Sequence, residues 1–165
     1  MAVVTACVFA SGSSVSGDVD GVGSPIYGVT IPRGYRQWEL IAVSQEAGNL
    51  DELRAILGNA TALKAYRGGA QPFPDGTIIA KVAWKRARSA PDDAALGPMQ
   101  AFVPGAATTV QFMVKDSKKY AATGGWGFGR FINGKPVDKA QHETCFACHA
   151  ANAQGHDMVF TRYAR

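Results

Sequence analysis

The first third of the chain places its apolar side chains mostly at helical spacing. Residues 35–43 bring aromatic and aliphatic side chains close together, which predicts a short helix that continues as an extended segment into the core. Residues 49–58 carry apolar side chains three and four positions apart and end at a glycine, so they predict an amphipathic helix capped by Asn49 or Asp51. A second helix is predicted over residues 59–69, with an asparagine cap and a terminal glycine pair.

From residue 73 onward the pattern changes to the two-residue period of β-strands. Residues 73–76, Phe-Pro-Asp-Gly, have the chemistry of a turn, and the apolar run at residues 77–85 predicts a strand directly after it. Residues 90–97 are polar and predict a loop. Residues 108–115 alternate between apolar and polar side chains, which predicts a second strand.

The strand predicted at residues 124–132 has an unusual composition, because alternate glycines leave one of its faces without side chains. A bare face lets a flat group or a neighbouring sheet approach the backbone closely. A glycine-rich edge strand without a functional role explains the pattern equally well. Asn133 and Gly134 follow as a strong signal for a hairpin turn.

The chain ends with a helix and one more extended segment. Asp138 is placed to cap a helix over residues 139–151, and residues 157–163 predict a final strand that closes the sheet. Together the elements predict an α+β fold, a mainly antiparallel sheet with flanking helices. We expect residues 31–165 to form one domain and residues 1–30 to be a flexible leader or signal remnant.

The strongest chemical signal lies on this last helix. Residues 145–149 read Cys-Phe-Ala-Cys-His, which is the attachment signature of a c-type haem. One helical turn brings Cys145 and Cys148 to one edge of a porphyrin, and His149 then points beneath its centre. The motif predicts one haem c, bound covalently through both cysteines, with His149 as an axial ligand of the iron.

Two other interpretations of the motif fit less well. A thioredoxin-like redox pair needs a strand that leads into the helix within a βαβ unit, and the pattern around residue 145 contains none. A zinc site would draw its ligands from His142, Cys145, Cys148 and His149. Zinc sites usually take ligands from separated segments, because four neighbours on one helix point in different directions.

Composition limits the class of partners. The chain has 165 residues, of which 47% are hydrophobic, which suffices for one globular domain, and no apolar run approaches the length of a transmembrane helix. The net charge of +4 is spread along the sequence. The densest basic cluster, residues 115–119, predicts a solvated turn, and we expect no nucleic-acid partner.

The third cysteine, Cys7, bears on localisation. Attachment of haem c takes place on the outer side of the bacterial cytoplasmic membrane, so we expect a periplasmic protein made with an export signal. Residues 1–10 are apolar but lack a basic start, which is typical of a signal remnant. Residues 4–7, Val-Thr-Ala-Cys, also match a lipobox, which would make Cys7 a lipid anchor.

Several separated stretches resemble the cytochrome P-460 family and its sibling, the β-sheet cytochromes c′, or cytochromes c′-beta. They are residues 73–81, 112–120 and 124–131, and the haem motif followed by residues 159–161. The resemblance covers residues 31–165. It implies a homodimer with a five-coordinate haem, His149 on one side of the iron and a largely apolar pocket on the other.

The resemblance implies one of two chemistries. In cytochromes P-460 a lysine is joined to a haem meso carbon and the protein oxidises hydroxylamine, passing electrons to a redox partner. Lys81 matches that lysine, with Lys85 as second choice on the same strand face. Cytochromes c′-beta lack the cross-link and bind nitric oxide without catalysis. A plain six-coordinate electron carrier, with Met99, Met113 or Met158 as second ligand, is a third interpretation.

One position weakens the enzymatic interpretation. The resemblance implies that efficient hydroxylamine oxidisers carry a distal glutamate before the strand at residues 108–115. By parity Ala106 shares a face with Val110 and Phe112 and takes that position, and an alanine cannot act as a base. We expect slow oxidation, a higher rate in an Ala106→Glu variant, and Asp157 as a substitute base if the tail folds over the haem.

Overall fold

A six-stranded antiparallel sheet organises the part of the chain that the computed structural model describes, residues 21–97 and 101–164. Each strand pairs with its neighbours in sequence. The strands are β1 (Glu39–Glu46), β2 (Glu52–Gly58), β3 (Ile78–Arg88), β4 (Phe102–Lys115), β5 (Trp126–Ile132) and β6 (Lys135–Pro136). The helices are α1 (Ala60–Gly68), α2 (Ala90–Leu96) and α3 (Lys139–Ala153), with 3₁₀ turns at Tyr35–Gln37, Ala121–Thr123 and Gln154–His156. The α+β prediction is confirmed; the leader, Cys7 and Met99 lie outside the described residues.

The caps predicted for the second and the last helix are confirmed. The Asn59 side chain accepts a hydrogen bond from the Ala62 N–H at 2.9 Å at the start of α1, and Gly69 ends the helix in the left-handed region. Asp138 caps α3 in the same way, accepting from the Gln141 N–H at 2.8 Å. No helix in the described ranges is long and apolar enough to cross a membrane.

The helix predicted for residues 49–58 is wrong, because this segment forms the strand β2. β2 lies between β1 and β3 and pairs with both, so neighbouring strands satisfy its backbone groups on either side. Gly58 does not cap a helix. A Cβ there would lie 2.7 Å from side-chain atoms of Ile41 and Leu63, so the glycine lets α1 pack closely on the sheet.

Two other predictions are also corrected. Residues 90–96 form α2 and not a loop, because the Ser89 side chain accepts from the Asp92 N–H and two aspartates occupy the first turn. The segment after α3 is extended but not a strand. It reaches the edge of the sheet at one hydrogen bond, from the Ala164 N–H to the Ile41 carbonyl at 3.0 Å.

The glycine face of β5 receives side chains of the protein itself. A Cβ at Gly127 would lie 2.3 Å from the ring of Tyr120, and a Cβ at Gly129 would lie 2.9 Å from Val29. The Tyr35 ring, just before β1, packs edge-on against Phe112 of β4 at 5.2 Å. The segment that precedes β1 therefore covers one face of the sheet, while the opposite face is open toward α3.

Candidate haem site

A cavity of about 570 Å³ lies between α3 and the sheet. Its size falls within the range of roughly 300–1,000 Å³ that is typical of cofactor and ligand sites. Cys145, Cys148 and His149 line it from α3, and Lys81 lines it from β3. The fold therefore brings together four of the residues singled out from the sequence, although they lie on elements more than 60 residues apart.

The two cysteines project from one side of α3 into the cavity. Both thiols are free, Cys145 half-buried and Cys148 exposed. Burial raises the pKa of the Cys145 thiol, against the opposing effect of the nearby Arg130 guanidinium. Three residues apart on a helix, the two sulfur atoms occupy the same face one turn from each other, as thioether attachment to one porphyrin edge requires.

His149 is held so that one ring nitrogen is committed to the protein. Its Nδ1 lies 2.7 Å from the Met158 carbonyl oxygen, to which it donates. The ring packs between Phe128 and Phe160, with centroid distances of 5.0 and 4.8 Å. Burial lowers the pKa of the imidazole. When the ring is neutral and its Nδ1–H donates to a carbonyl, Nε2 carries the free lone pair and is the atom that can bind a metal.

Lys81 lies in a row of directly paired residues that crosses the sheet. Ile56, Lys81, Gln111 and Arg130 face one another on β2, β3, β4 and β5, and all four line the cavity. Burial, and next the Arg54 guanidinium, lower the pKa of Lys81 to about 8. Lys85 is exposed and donates to the Leu50 carbonyl at 2.5 Å, outside the cavity wall.

The structure does not bring Ala106 to the cavity. Two β-bulges interrupt the pairing of β3 with β4. In an unbroken register Trp84 would face Thr108, but it faces Ala107, so the parity count from Val110 fails beyond this point. Ala106 is exposed. The cavity wall in β4 consists of Gln111, Phe112 and Met113.

Two charged cavity residues, Glu52 and Arg54, were missed by the sequence interpretation. Glu52 is only 5% exposed, and its Oε2 accepts from Arg54 Nε at 3.0 Å and Nη2 at 2.8 Å. Its Oε1 accepts from the Thr108 hydroxyl at 2.7 Å. Arg54 also pairs with Glu46. A two-residue period was present in residues 52–58, but the helical spacing of the leucines obscured it.

Arg130 provides a test of whether the cavity suits a haem. Its Nε is buried and has no hydrogen-bond partner within the protein, although the residue lines the cavity. A guanidinium donates well to carboxylates, and a haem carries two propionates. An unsatisfied arginine nitrogen beside a Cys-x-x-Cys-His helix therefore fits the proposed group.

The zinc alternative does not fit the geometry. His142 is fully buried, its Nδ1 lies 2.9 Å from the Asp138 carbonyl oxygen, and its Nε2 accepts from the Arg130 N–H at 3.1 Å. Both ring nitrogens are therefore engaged in joining α3 to β5. Among the described residues, no group of three or more His, Cys, Asp or Glu side chains is arranged to hold a metal ion.

The other residues considered from sequence take different places. Asp157 does not line the cavity; Lys115 binds its carboxylate. Met113 belongs to the cavity wall, while the Met158 side chain packs against Gly124. The aromatic side chains on the cavity side are Phe128 and Phe160, which both contact His149.

A helix that presents two thiols and an imidazole to a cofactor-sized cavity defines a c-type haem protein of α+β architecture. The chain belongs to the cytochrome P460 family, because that family model matches residues 32–161, most of its length. The resemblance drawn from sequence is confirmed, and membership supports a haem cofactor in a c-type cytochrome. Comparison with curated proteins gives no significant match.

Proposed function

We propose that this chain is a periplasmic monohaem cytochrome that oxidises hydroxylamine, with Lys81 joined covalently to the haem. The observation that carries the proposal is the Lys81 amine. It shares one cavity with Cys145, Cys148 and His149, and burial together with the Arg54 charge lowers its pKa to about 8. A lysine with a lowered pKa facing a cofactor cavity is typical of a reactive amine.

The residues that would hold the haem have different roles. Cys145 and Cys148 would form the thioether bonds, His149 would bind iron through Nε2, and Arg130 would pair with a propionate. When bound, the haem supplies an iron with an open coordination position, where a small nitrogen compound binds and gives up electrons. Phe128 and Phe160 pack on the His149 ring and would shield the iron–histidine bond from water.

The cross-link itself is an oxidation. One N–H bond of Lys81 and one meso C–H bond are replaced by a C–N bond, so two protons and two electrons leave. We assign the oxidant to hydrogen peroxide, which takes up the two protons and two electrons and becomes two molecules of water. With a pKa of about 8, about one tenth of the amines carry the required free lone pair at neutral pH.

Substrate oxidation needs a proton acceptor as well as an electron acceptor. Two hydroxylamine molecules that become one nitrous oxide and one water release four protons and four electrons. We assign the first step of proton acceptance to Glu52, a carboxylate in the cavity wall that can hand protons onward through the Thr108 hydroxyl. The electrons go to a separate redox partner.

The proposed localisation rests on the covalent attachment of haem, and the proposed assembly rests on the family resemblance. Attachment outside the cytoplasmic membrane supports a periplasmic protein, with Cys7 either lost with the leader or lipidated. The family resemblance favours a homodimer. We expect a leaderless variant to remain without haem in the cytoplasm, and size-exclusion chromatography of the mature holoprotein to give the mass of two chains.

The proposal is tested by steady-state oxidation of hydroxylamine with a one-electron acceptor. Lys81→Arg is expected to lower turnover at least tenfold, because it keeps the charge but cannot form the cross-link. Lys85→Arg is the matched control, since Lys85 lies on the same strand but is exposed outside the cavity. Equal turnover in both variants and in the wild type would overturn the role of Lys81.

A second function is favoured by the hydrogen bonds of Glu52. Both of its carboxylate oxygens already accept hydrogen bonds, one from Arg54 and the other from Thr108, so neither is free to take a proton directly from a bound substrate. In that case the protein would be a nitric-oxide-binding cytochrome of the c′-beta type. Rapid binding of nitric oxide to the ferrous protein, without any turnover of hydroxylamine, would support this function over the enzymatic one.

A further inference from the structure

The turn after α3 adopts an unfavourable backbone conformation. Asp157 has a φ of 47° and Met158 a φ of 62°, so two successive residues other than glycine lie in the left-handed region. Such residues are disfavoured by contacts of the Cβ atom and persist when the surroundings hold them there. The Met158 N–H donates to the Ala153 carbonyl at 2.9 Å, which closes the turn onto the end of α3.

An ion pair anchors this turn to the sheet. Lys115 Nζ lies 2.9 Å from both carboxylate oxygens of Asp157, and the two side chains are only 7% and 13% exposed. Asp157 Oδ2 also accepts from the Phe73 N–H at 2.8 Å. Lys115 in turn donates to the Gly124 carbonyl at 3.0 Å and lies over the ring of Trp126. Lys115 is therefore not part of a solvated turn, as its sequence context had suggested.

Met158, the residue after Asp157, contacts His149, the predicted axial ligand of the haem iron. The Met158 carbonyl accepts from His149 Nδ1 at 2.7 Å. Because Asp157 and Met158 are adjacent, the position of this carbonyl depends on the left-handed turn that the ion pair holds. A partner on the second ring nitrogen of a metal-bound histidine fixes the ring orientation and raises its strength as a ligand.

We propose that Lys115 and Asp157 are positioning residues for His149. Their ion pair keeps the turn left-handed, the turn presents the Met158 carbonyl to His149 Nδ1, and this hydrogen bond sets the strength of the iron–histidine bond. The inference rests on the assignment of His149 as axial ligand within the proposed function. It does not depend on the Lys81 cross-link or on hydroxylamine turnover.

The test is resonance Raman spectroscopy of the ferrous holoprotein, read at the iron–histidine stretch, together with the reduction potential. Asp157→Asn is expected to lower the stretching frequency and raise the potential, because the imidazole becomes a weaker donor. Asp93→Asn is the matched control. Asp93 pairs with Arg88 at the end of β3, neither of these residues lines the cavity, and neither readout should change. Asp75 is unsuitable as that control because it lies close to Lys115.

A second variant distinguishes a positioning role of Asp157 from general damage to the fold. Glycine adopts the left-handed region without strain, and the hydrogen bond to His149 uses a backbone carbonyl, so D157N/M158G is expected to recover the wild-type frequency. If D157N fails to retain haem, the double variant alone decides between the outcomes. A frequency that is unchanged in D157N, or that stays low in the double variant, would overturn the proposal.

The wild-type spectrum keeps this inference distinct from the proposed function. Absence of any iron–histidine mode in the wild type would contradict the ligand assignment itself. A wild-type mode that does not respond to Asp157→Asn would contradict only the positioning role. Loss of hydroxylamine turnover with an intact and responsive mode would contradict only the enzymatic proposal.

Discussion

Replacement of Lys81 by methionine is expected to stabilise the haem-free protein near neutral pH. Methionine has a similar length but removes an ammonium group that the folded state keeps half-buried beside Arg54. Folding lowers the pKa of Lys81 from 10.5 to about 8, mainly through burial. At about 1.4 kcal/mol for each factor of ten in the proton equilibrium, the charged amine costs the folded state about 3 kcal/mol.

The sign of this effect gives it a pH dependence. Between the folded pKa of about 8 and the unfolded value of 10.5, the unfolded chain binds more protons than the folded chain. Wild-type stability therefore rises as the pH increases through this window, and the stabilising effect of Lys81→Met is fully present only below it. Above the unfolded value the lysine is neutral in both states and the difference disappears.

The assay is urea unfolding of the haem-free wild type, K81M and K85M, each at pH 7 and again above the unfolded pKa of lysine. K85M removes an exposed lysine from the same strand and is expected to change stability little and equally at both pH values. A K81M variant less stable than the wild type at pH 7 would show that the buried ammonium group does not destabilise the fold. An advantage of the same size at both pH values would show that the charge of Lys81 is not its cause.

Three further predictions concern turnover, cofactor retention and packing. Glu52→Gln is expected to lower the kcat for hydroxylamine oxidation at least tenfold. In place of the higher rate expected from sequence, Ala106→Glu is now expected to leave it unchanged, because residue 106 is exposed outside the cavity. In a background without Cys145 and Cys148, haem cannot be attached covalently, and Arg130→Met is expected to weaken its retention. Transfer of haem to apomyoglobin measures this loss. Gly127→Ala is expected to destabilise the fold by about 1–3 kcal/mol in urea unfolding, since its Cβ would meet the Tyr120 ring at 2.3 Å.

Local chemistry explains what could be predicted from the sequence. The Asn59 and Asp138 caps, the Asn133–Gly134 turn and the haem motif each depend on residues within one or two turns of one another. The side chains that share one face of β3 could also be predicted, because alternation along a single strand depends only on neighbouring residues. Lys81 was chosen because it matches the lysine that the family resemblance implies, and its apolar neighbours on the same strand face, Ile79 and Ala83, supported the choice.

Long-range pairing explains what could not be predicted. Residues 52–58 satisfy a helical pattern, and only the strands on either side, β1 and β3, make them a strand. Because this segment was predicted to be a helix, Glu52 and Arg54 were not identified as cavity residues. The surroundings of Ala106 could not be predicted for a related reason, because two β-bulges shift the pairing of β4 with β3 at this point and leave no clear trace in the sequence.

Mass spectrometry of tryptic haem peptides from the denatured mature holoprotein tests directly whether Lys81 is joined to the haem. The haem peptide with Cys145 and Cys148 is expected to carry a second peptide containing Lys81, and the ferrous Soret band is expected to be shifted to the red. A haem held by the two cysteines alone, with an ordinary high-spin spectrum, would contradict the cross-link and leave a gas-binding cytochrome of the c′-beta type.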